Sequence, residues 1–130
     1  MSIQTLHRII GHGNNRVKDD FYPTPTNATL ALLERERFDG NVWEPACGDG
    51  AISELLKKYG YDVYSTDLVD RDYGDNHFDF LHSNKMYDNI ITNPPFNIGT
   101  KFALHSLRCA KKESCFVSET NFLRRKGKKK

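Results

Sequence analysis

The sequence predicts an α/β fold, a doubly wound and mostly parallel sheet of about five strands, on three observations. Short apolar runs of strand length alternate with amphipathic stretches at helical spacing. Strands that alternate with helices imply parallel pairing through right-handed crossovers. The residues least suited to a regular element, glycines, acids and an Asn-Pro-Pro triplet, fall just after the strand-like runs. Those are the carboxyl ends, where sheets of this kind collect ligands at the point where strand order reverses.

Taken in order, residues 1–20 are polar and broken by Gly11, Gly13, Asn14 and Asn15, which predicts an N-terminal arm. "FYPTPTNATLALLERERF" opens with two prolines, offers Thr26 as an N-cap and continues as an amphipathic helix closed by Gly40. "NVWEPA" reads as a strand ended by Pro45, the glycine turn "CGDG" follows, and a helix is predicted over residues 51–59, stopped by Gly60. "YDVYSTDL", rich in β-branched and aromatic residues, is the second strand. "HFDFL" is a brief third strand among loops, "DNIITN" a fourth, "IGTKFALHSLRCAKK" a helix and "SCFVSE" a fifth strand. A single domain spans residues 21–123, and residues 124–130 form a basic tail.

Composition narrows the class. At 38% hydrophobic and 28% charged, the 130-residue chain is ordinary for a globular protein, and no apolar stretch approaches the roughly 20 residues that span a bilayer. The first residues carry no export signal, so a cytoplasmic protein is expected. Cys47, Cys109 and Cys115 are odd in number and unpaired in spacing, and the five histidines show no ligand pattern, so neither a disulfide framework nor a metal site is expected. The net charge of +2 is uneven: "RRKGKKK" holds six of nineteen basic side chains, leaving 13 against 17 acidic elsewhere. Such a run either contacts phosphates or serves as a solvated end.

Two segments carry chemistry. Gly48 and Gly50 permit a tight turn and close backbone approach by a ligand, and Asp67, 17 residues beyond Gly50, stands where a carboxylate accepts ribose hydroxyls. A dinucleotide motif would place a third glycine where this chain has Ser53. The acids Glu44, Asp49 and Asp79 would repel a pyrophosphate and favour a cationic nucleoside, namely S-adenosylmethionine. In "NPPF", two prolines fix φ and donate no N–H, so the chain leaves the sheet as a stiff rod. Asn93 and the Pro94 carbonyl then offer two acceptors to the hydrogens of an exocyclic amine, whose delocalised lone pair they localise for attack without a strong base. Phe96 can stack on a planar substrate.

These motifs resemble those of class I S-adenosylmethionine-dependent methyltransferases, a Rossmann-like fold, and most closely the adenine-N6 amino-methyltransferases of the gamma motif order, including small phage-type DNA enzymes. The resemblance runs over residues 21–122. It implies that Pro45, Ala46, Gly48 and Gly50 meet the methionine and ribose portion of the cofactor, with Glu44 beside them, and that Asp67 takes the ribose hydroxyls. It further implies Asp79 and Phe80 at the adenine, Thr24 and Pro25 of "FYPTP" over the methionine end, and Asn93, Pro94, Pro95 and Phe96 in catalysis. DNA with a flipped adenine is the implied substrate. RNA amines and protein glutamine are alternatives for the same motif, as is a remnant that binds without turnover. The family's sheet continues to seven strands with a further helix and an antiparallel hairpin. A chain ending soon after its fifth strand is expected to expose a sheet edge, for a second copy or a partner to cover.

Overall fold

The computed structural model describes residues 26–118 and 122–126. The predicted arm, Thr24, Pro25 and residues 127–130 lie outside them. Five strands form one sheet: β1 (Val42–Glu44), β2 (Val63–Ser65), β3 (Tyr87–Thr92), β4 (Ala110–Val117) and β5 (Phe122–Lys126), in the spatial order β2-β1-β3-β4-β5. The first four are mutually parallel, and β5 runs antiparallel to β4. Helix α1 (Thr26–Arg35) precedes β1, α2 (Ala51–Lys58) links β1 to β2, and α3 (Gly99–Cys109) links β3 to β4. The predicted α/β, doubly wound class is the one observed.

Alternation along the strands builds the two sides of the core. Val42, Ile91, Cys115 and Val117 point to the layer that holds Leu32 and Leu33 of α1 and Ile52 and Leu56 of α2. Trp43 and Ile90 point the other way, to Phe102 and Cys109 of α3 and to Phe80. β1 is buried throughout, as a strand covered on both faces must be. Full burial of Ile90 or Ile91, each 0% exposed, contributes about 1.5–3 kcal/mol. All three cysteines are buried free thiols.

Chain order reverses at β1: β2 lies on one side of it and β3, reached next, on the other. The register pairs Glu44 with Ser65 and Thr92 with Phe116, so the parallel strands finish along one edge. The crevice at that edge, between β1 and β3, is the switch point.

Three expectations need correction. "HFDFL" forms no strand but a 3-10 turn over Phe80–His82. The Asp79 carboxylate captures the Leu81 N–H at 3.1 Å, and the edge of β2 is already bridged by Asp75, paired with Thr66. The fifth strand of the sheet is instead β5, which takes in Arg124, Arg125 and Lys126 from the predicted tail. It pairs antiparallel along β4 and is the outer strand on that side of the sheet. Finally, α1 ends at Arg35, and Gly40, at φ +102°, shapes the turn into β1 rather than closing the helix.

Arg124 shows why β5 stays in place. Its guanidinium bonds Glu113 on β4 and Glu36 just past α1, donates to the Arg37 carbonyl at 3.0 Å and lies 4.5 Å from the Phe38 ring centre. Those partners hold its pKa above the usual arginine value. A side chain so engaged is a strut between layers. Among the described residues, no helix is long and apolar enough to cross a membrane, and no group of three His, Cys, Asp or Glu residues could hold a metal.

Candidate functional site

The chain leaves β1 at Glu44 and turns sharply through residues 45–50. Gly48 (φ +55°) and Gly50 (φ +94°) are both left-handed, a conformation that residues with a Cβ rarely adopt. The Gly50 N–H donates to the Cys47 carbonyl at 2.9 Å, and Gly50 then caps α2, accepting from the Glu54 N–H at 2.8 Å. Asp67, just past β2, fixes this turn from the neighbouring strand. Its Oδ2 accepts the Gly48 N–H at 2.8 Å and its Oδ1 the Val69 N–H at 3.0 Å. Each carboxylate oxygen thereby keeps a second acceptor site for a ligand hydroxyl.

The structure revises the reason for Gly50. A Cβ there would stand 2.5 Å from the Tyr73 ring, so the open side of this glycine is filled by the chain's own loop and not left for a ligand. The Tyr73 hydroxyl bonds Glu54 and accepts from Lys57 at 3.0 Å, which pins the ring against the first turn of α2. Within the turn, Ala46 is half-buried and Asp49 exposed, while the other residues of 45–50 are buried.

Glu44 is also revised. Expected among the cofactor-facing acids, it is 1% exposed, and its carboxyl is taken up by the chain's own donors. The Thr92 hydroxyl donates to Oε2 at 2.6 Å and the Ser53 hydroxyl to Oε1 at 3.5 Å. Burial raises its pKa to about 8, against the lowering by the Thr92 bond, and the charge of Asp67 raises it further. Cys47 reports the same field: burial, then the charges of Glu44 and Asp67, push its thiol to about 12, and Asp49 adds to the effect. With Glu44 protonated at neutral pH, the negative charge of the turn comes from Asp67 and Asp49, which favours a cation over a phosphate.

Asp79 caps the 3-10 turn and has its second oxygen 2.9 Å from His82 Nδ1. Phe80, expected at an adenine, has its ring in the core, 5.0 Å from Trp43, 4.8 Å from Phe102 and 4.9 Å from His105, centre to centre. At 1% exposure only its backbone is left to meet a ligand.

Across the crevice, β3 stops at Thr92, and Asn93 to Pro95 carry the chain away from the sheet. Asn93 is half-buried and Pro94 buried. Pro95 has the extended geometry of a polyproline helix, φ −58° and ψ 140°, as a rigid rod requires. Phe96 opens a 3-10 turn that runs into α3, and the stacking role expected of its side chain lies outside the described residues. The glycine turn, Asp67 and the Asn-Pro-Pro segment thus follow adjacent strands at one edge. Sequence reasoning missed Thr92, Ser53 and Ser65, which join them. For Ser65 and Thr92 the available signal was a hydroxyl closing an apolar run, whereas Ser53 lies inside α2.

The sequence matches no protein-family profile and no curated protein. Among solved structures, the chain is similar to magnesium protoporphyrin IX methyltransferase from Synechocystis PCC 6803 with bound SAM (TM-score 0.56, 18% identity, 87% of this chain and 68% of that one). It is similar to a putative RNA methyltransferase from Pyrococcus horikoshii (TM-score 0.61, 20% identity, 81% and 67%). A glycopeptide N-methyltransferase complexed with sinefungin also matches (TM-score 0.54, 15% identity, 80% and 59%). The fold is therefore the Rossmann-like fold of class I methyltransferases. This chain spans about two thirds of the length of the first two.

Proposed function

We propose that the chain transfers a methyl group from S-adenosylmethionine to an exocyclic amine, with adenine N6 in DNA as the substrate. One observation carries the reading: the strand order sets the glycine turn and the Asn-Pro-Pro segment on neighbouring strand ends, and the bond from Thr92 to Glu44 ties those ends together. The residues suit the cofactor, because the turn is acidic and Asp67 keeps acceptor sites for ribose hydroxyls. S-adenosylmethionine, when bound, supplies an electrophilic methyl group on a cationic sulfur. Ala46 and Gly48 would hold its methionine and ribose portion, with Asp67 at the ribose and Asp79 at the adenine.

The catalytic work of the chain is to orient an amine. The Asn93 amide oxygen and the Pro94 carbonyl accept its two N–H groups, draw them out of the plane of the ring and leave the nitrogen lone pair localised for attack. The rigid Pro94-Pro95 pair sets these acceptors in advance of substrate binding. A flipped adenine meets this arrangement, with Phe96 as a stacking surface.

Incubation with methyl-labelled cofactor and DNA, RNA or protein tests the reading. Label at adenine N6 supports it, and label confined to RNA or protein replaces the substrate. Cofactor binding without transfer to any of them favours a second reading, a binding module.

A further inference from the structure

A buried chain of side-chain hydrogen bonds runs under the site. The Ser65 hydroxyl at the end of β2 donates to Ser53 on α2 at 2.7 Å, Ser53 donates to Glu44 at the end of β1, and Thr92 at the end of β3 donates to the other oxygen of Glu44. The Ala46 amide of the glycine turn bonds the same carboxyl. Ser53 and Thr92 are 0% exposed and Glu44 1%. Burying a carboxyl costs free energy that an apolar residue of similar volume would avoid, so its presence calls for a role in placing something. Thr92 directly precedes Asn93, and Ala46 lies in the turn that would meet the cofactor.

We propose that Glu44 is a positioning residue: through Thr92 on one side and Ala46 and Ser53 on the other, it sets where the Asn93 amide stands relative to the glycine turn. Its effect on turnover rests on the function proposed above; its effect on Asn93 does not. The carboxyl is protonated below about pH 8 and ionised above it. The charge of Asp67 past β2 acts on it, its own charge reaches Cys47 in the turn, as does that of Asp49, and α2 and β3 present the hydroxyls of Ser53 and Thr92. Ionisation strengthens the bond from Thr92 and sets Glu44 against Asp67, so the end of β3 shifts with pH.

The test follows the carbon-13 signal of the Asn93 side-chain carbonyl in the ligand-free chain as pH rises, with Asn93→Asp to assign it. A single transition near pH 8 is expected, lost in Glu44→Gln and in Thr92→Val and kept in Thr92→Ser. A transition that survives in Glu44→Gln, or in Thr92→Val, overturns the proposal. In single-turnover assays, Thr92→Val lowers the transfer rate about tenfold or more while cofactor affinity stays within about twofold, and Thr92→Ser restores the rate. Affinity falling in step with rate would make this network part of the cofactor site and also overturn the proposal. Should the unmodified chain transfer no methyl group to any acceptor, the proposed function fails, and the carbonyl signal alone decides for or against positioning.

Discussion

Strands β1 and β3 are clamped together at both ends, and the two clamps differ in kind. At the end where these strands begin, side chains and main chain interlock. Asn41 N–H donates to Asp88 Oδ2 at 3.0 Å and Asp88 N–H to Asn41 Oδ1 at 2.8 Å, while the Asn89 side-chain amide donates to the carbonyls of Asp39 and Asn41. At the end where they finish, a bond between two side chains, Thr92 to Glu44, joins them, and its acceptor has a pKa raised to about 8. Main-chain partners cannot rearrange without unmaking the sheet. Two side chains can, which is why a site that must accept ligands belongs at the second end.

Substitutions sharpen this contrast, from the largest expected effect to the smallest. At the finishing end, Asn93→Ala removes one of two acceptors for the amine. The single-turnover rate should fall about 100-fold or more with cofactor affinity nearly intact; equal losses would make Asn93 a structural residue. The Glu44 carboxyl gives the same end a pH signature. Its pKa is 4.5 ordinarily and about 8 when folded, so between those values the folded chain holds a proton that the unfolded chain has released. Stability from this group is therefore full below about pH 4.5, declines as pH rises through about 8 and levels off above, a loss on the order of several kcal/mol. Urea unfolding across that range should show the decline, and Glu44→Gln should flatten it.

The beginning end should answer only in stability. A Cβ on Gly40 would stand 2.1 Å from Asp88 Oδ2, at φ +102°, so Gly40→Ala should cost about 2–3 kcal/mol in unfolding experiments. Cofactor affinity per folded molecule should not change; a selective loss of affinity would erase the distinction between the clamps. Asp67→Ala should weaken the cofactor by about 1–2 kcal/mol in calorimetry, through lost charge-assisted bonds and a freed Gly48 N–H.

Most of this architecture was legible because it is local. "VWE", "VYS" and "NIIT" are strands by composition, and the first and last are stopped by Pro45 and by Asn93 with two prolines behind it. The glycines at 48 and 50 announced a turn, and two prolines announced the exit from β3. What failed depended on distant partners. "HFDFL" has the right alternation, and Phe78 and Phe80 do both meet Trp43, at 5.7 and 5.0 Å, but Asp75 already holds the β2 edge it would have needed. The basic run read as a tail, phosphate-binding or solvated, because nothing near it in sequence reveals Glu36, 88 residues away, as the partner of Arg124. The inward turn of Glu44 was hidden for the same reason, since its partner Thr92 is 48 residues distant.

A crystal structure with S-adenosylmethionine bound would test the central claim most directly. The account predicts the ribose hydroxyls on the Asp67 carboxylate, and the sulfonium methyl facing the Asn93 amide oxygen across a gap wide enough for an amine nitrogen, with about 3–3.5 Å between reacting atoms. A cofactor bound away from residues 45–50, or an Asn93 amide turned from the methyl group, would contradict it.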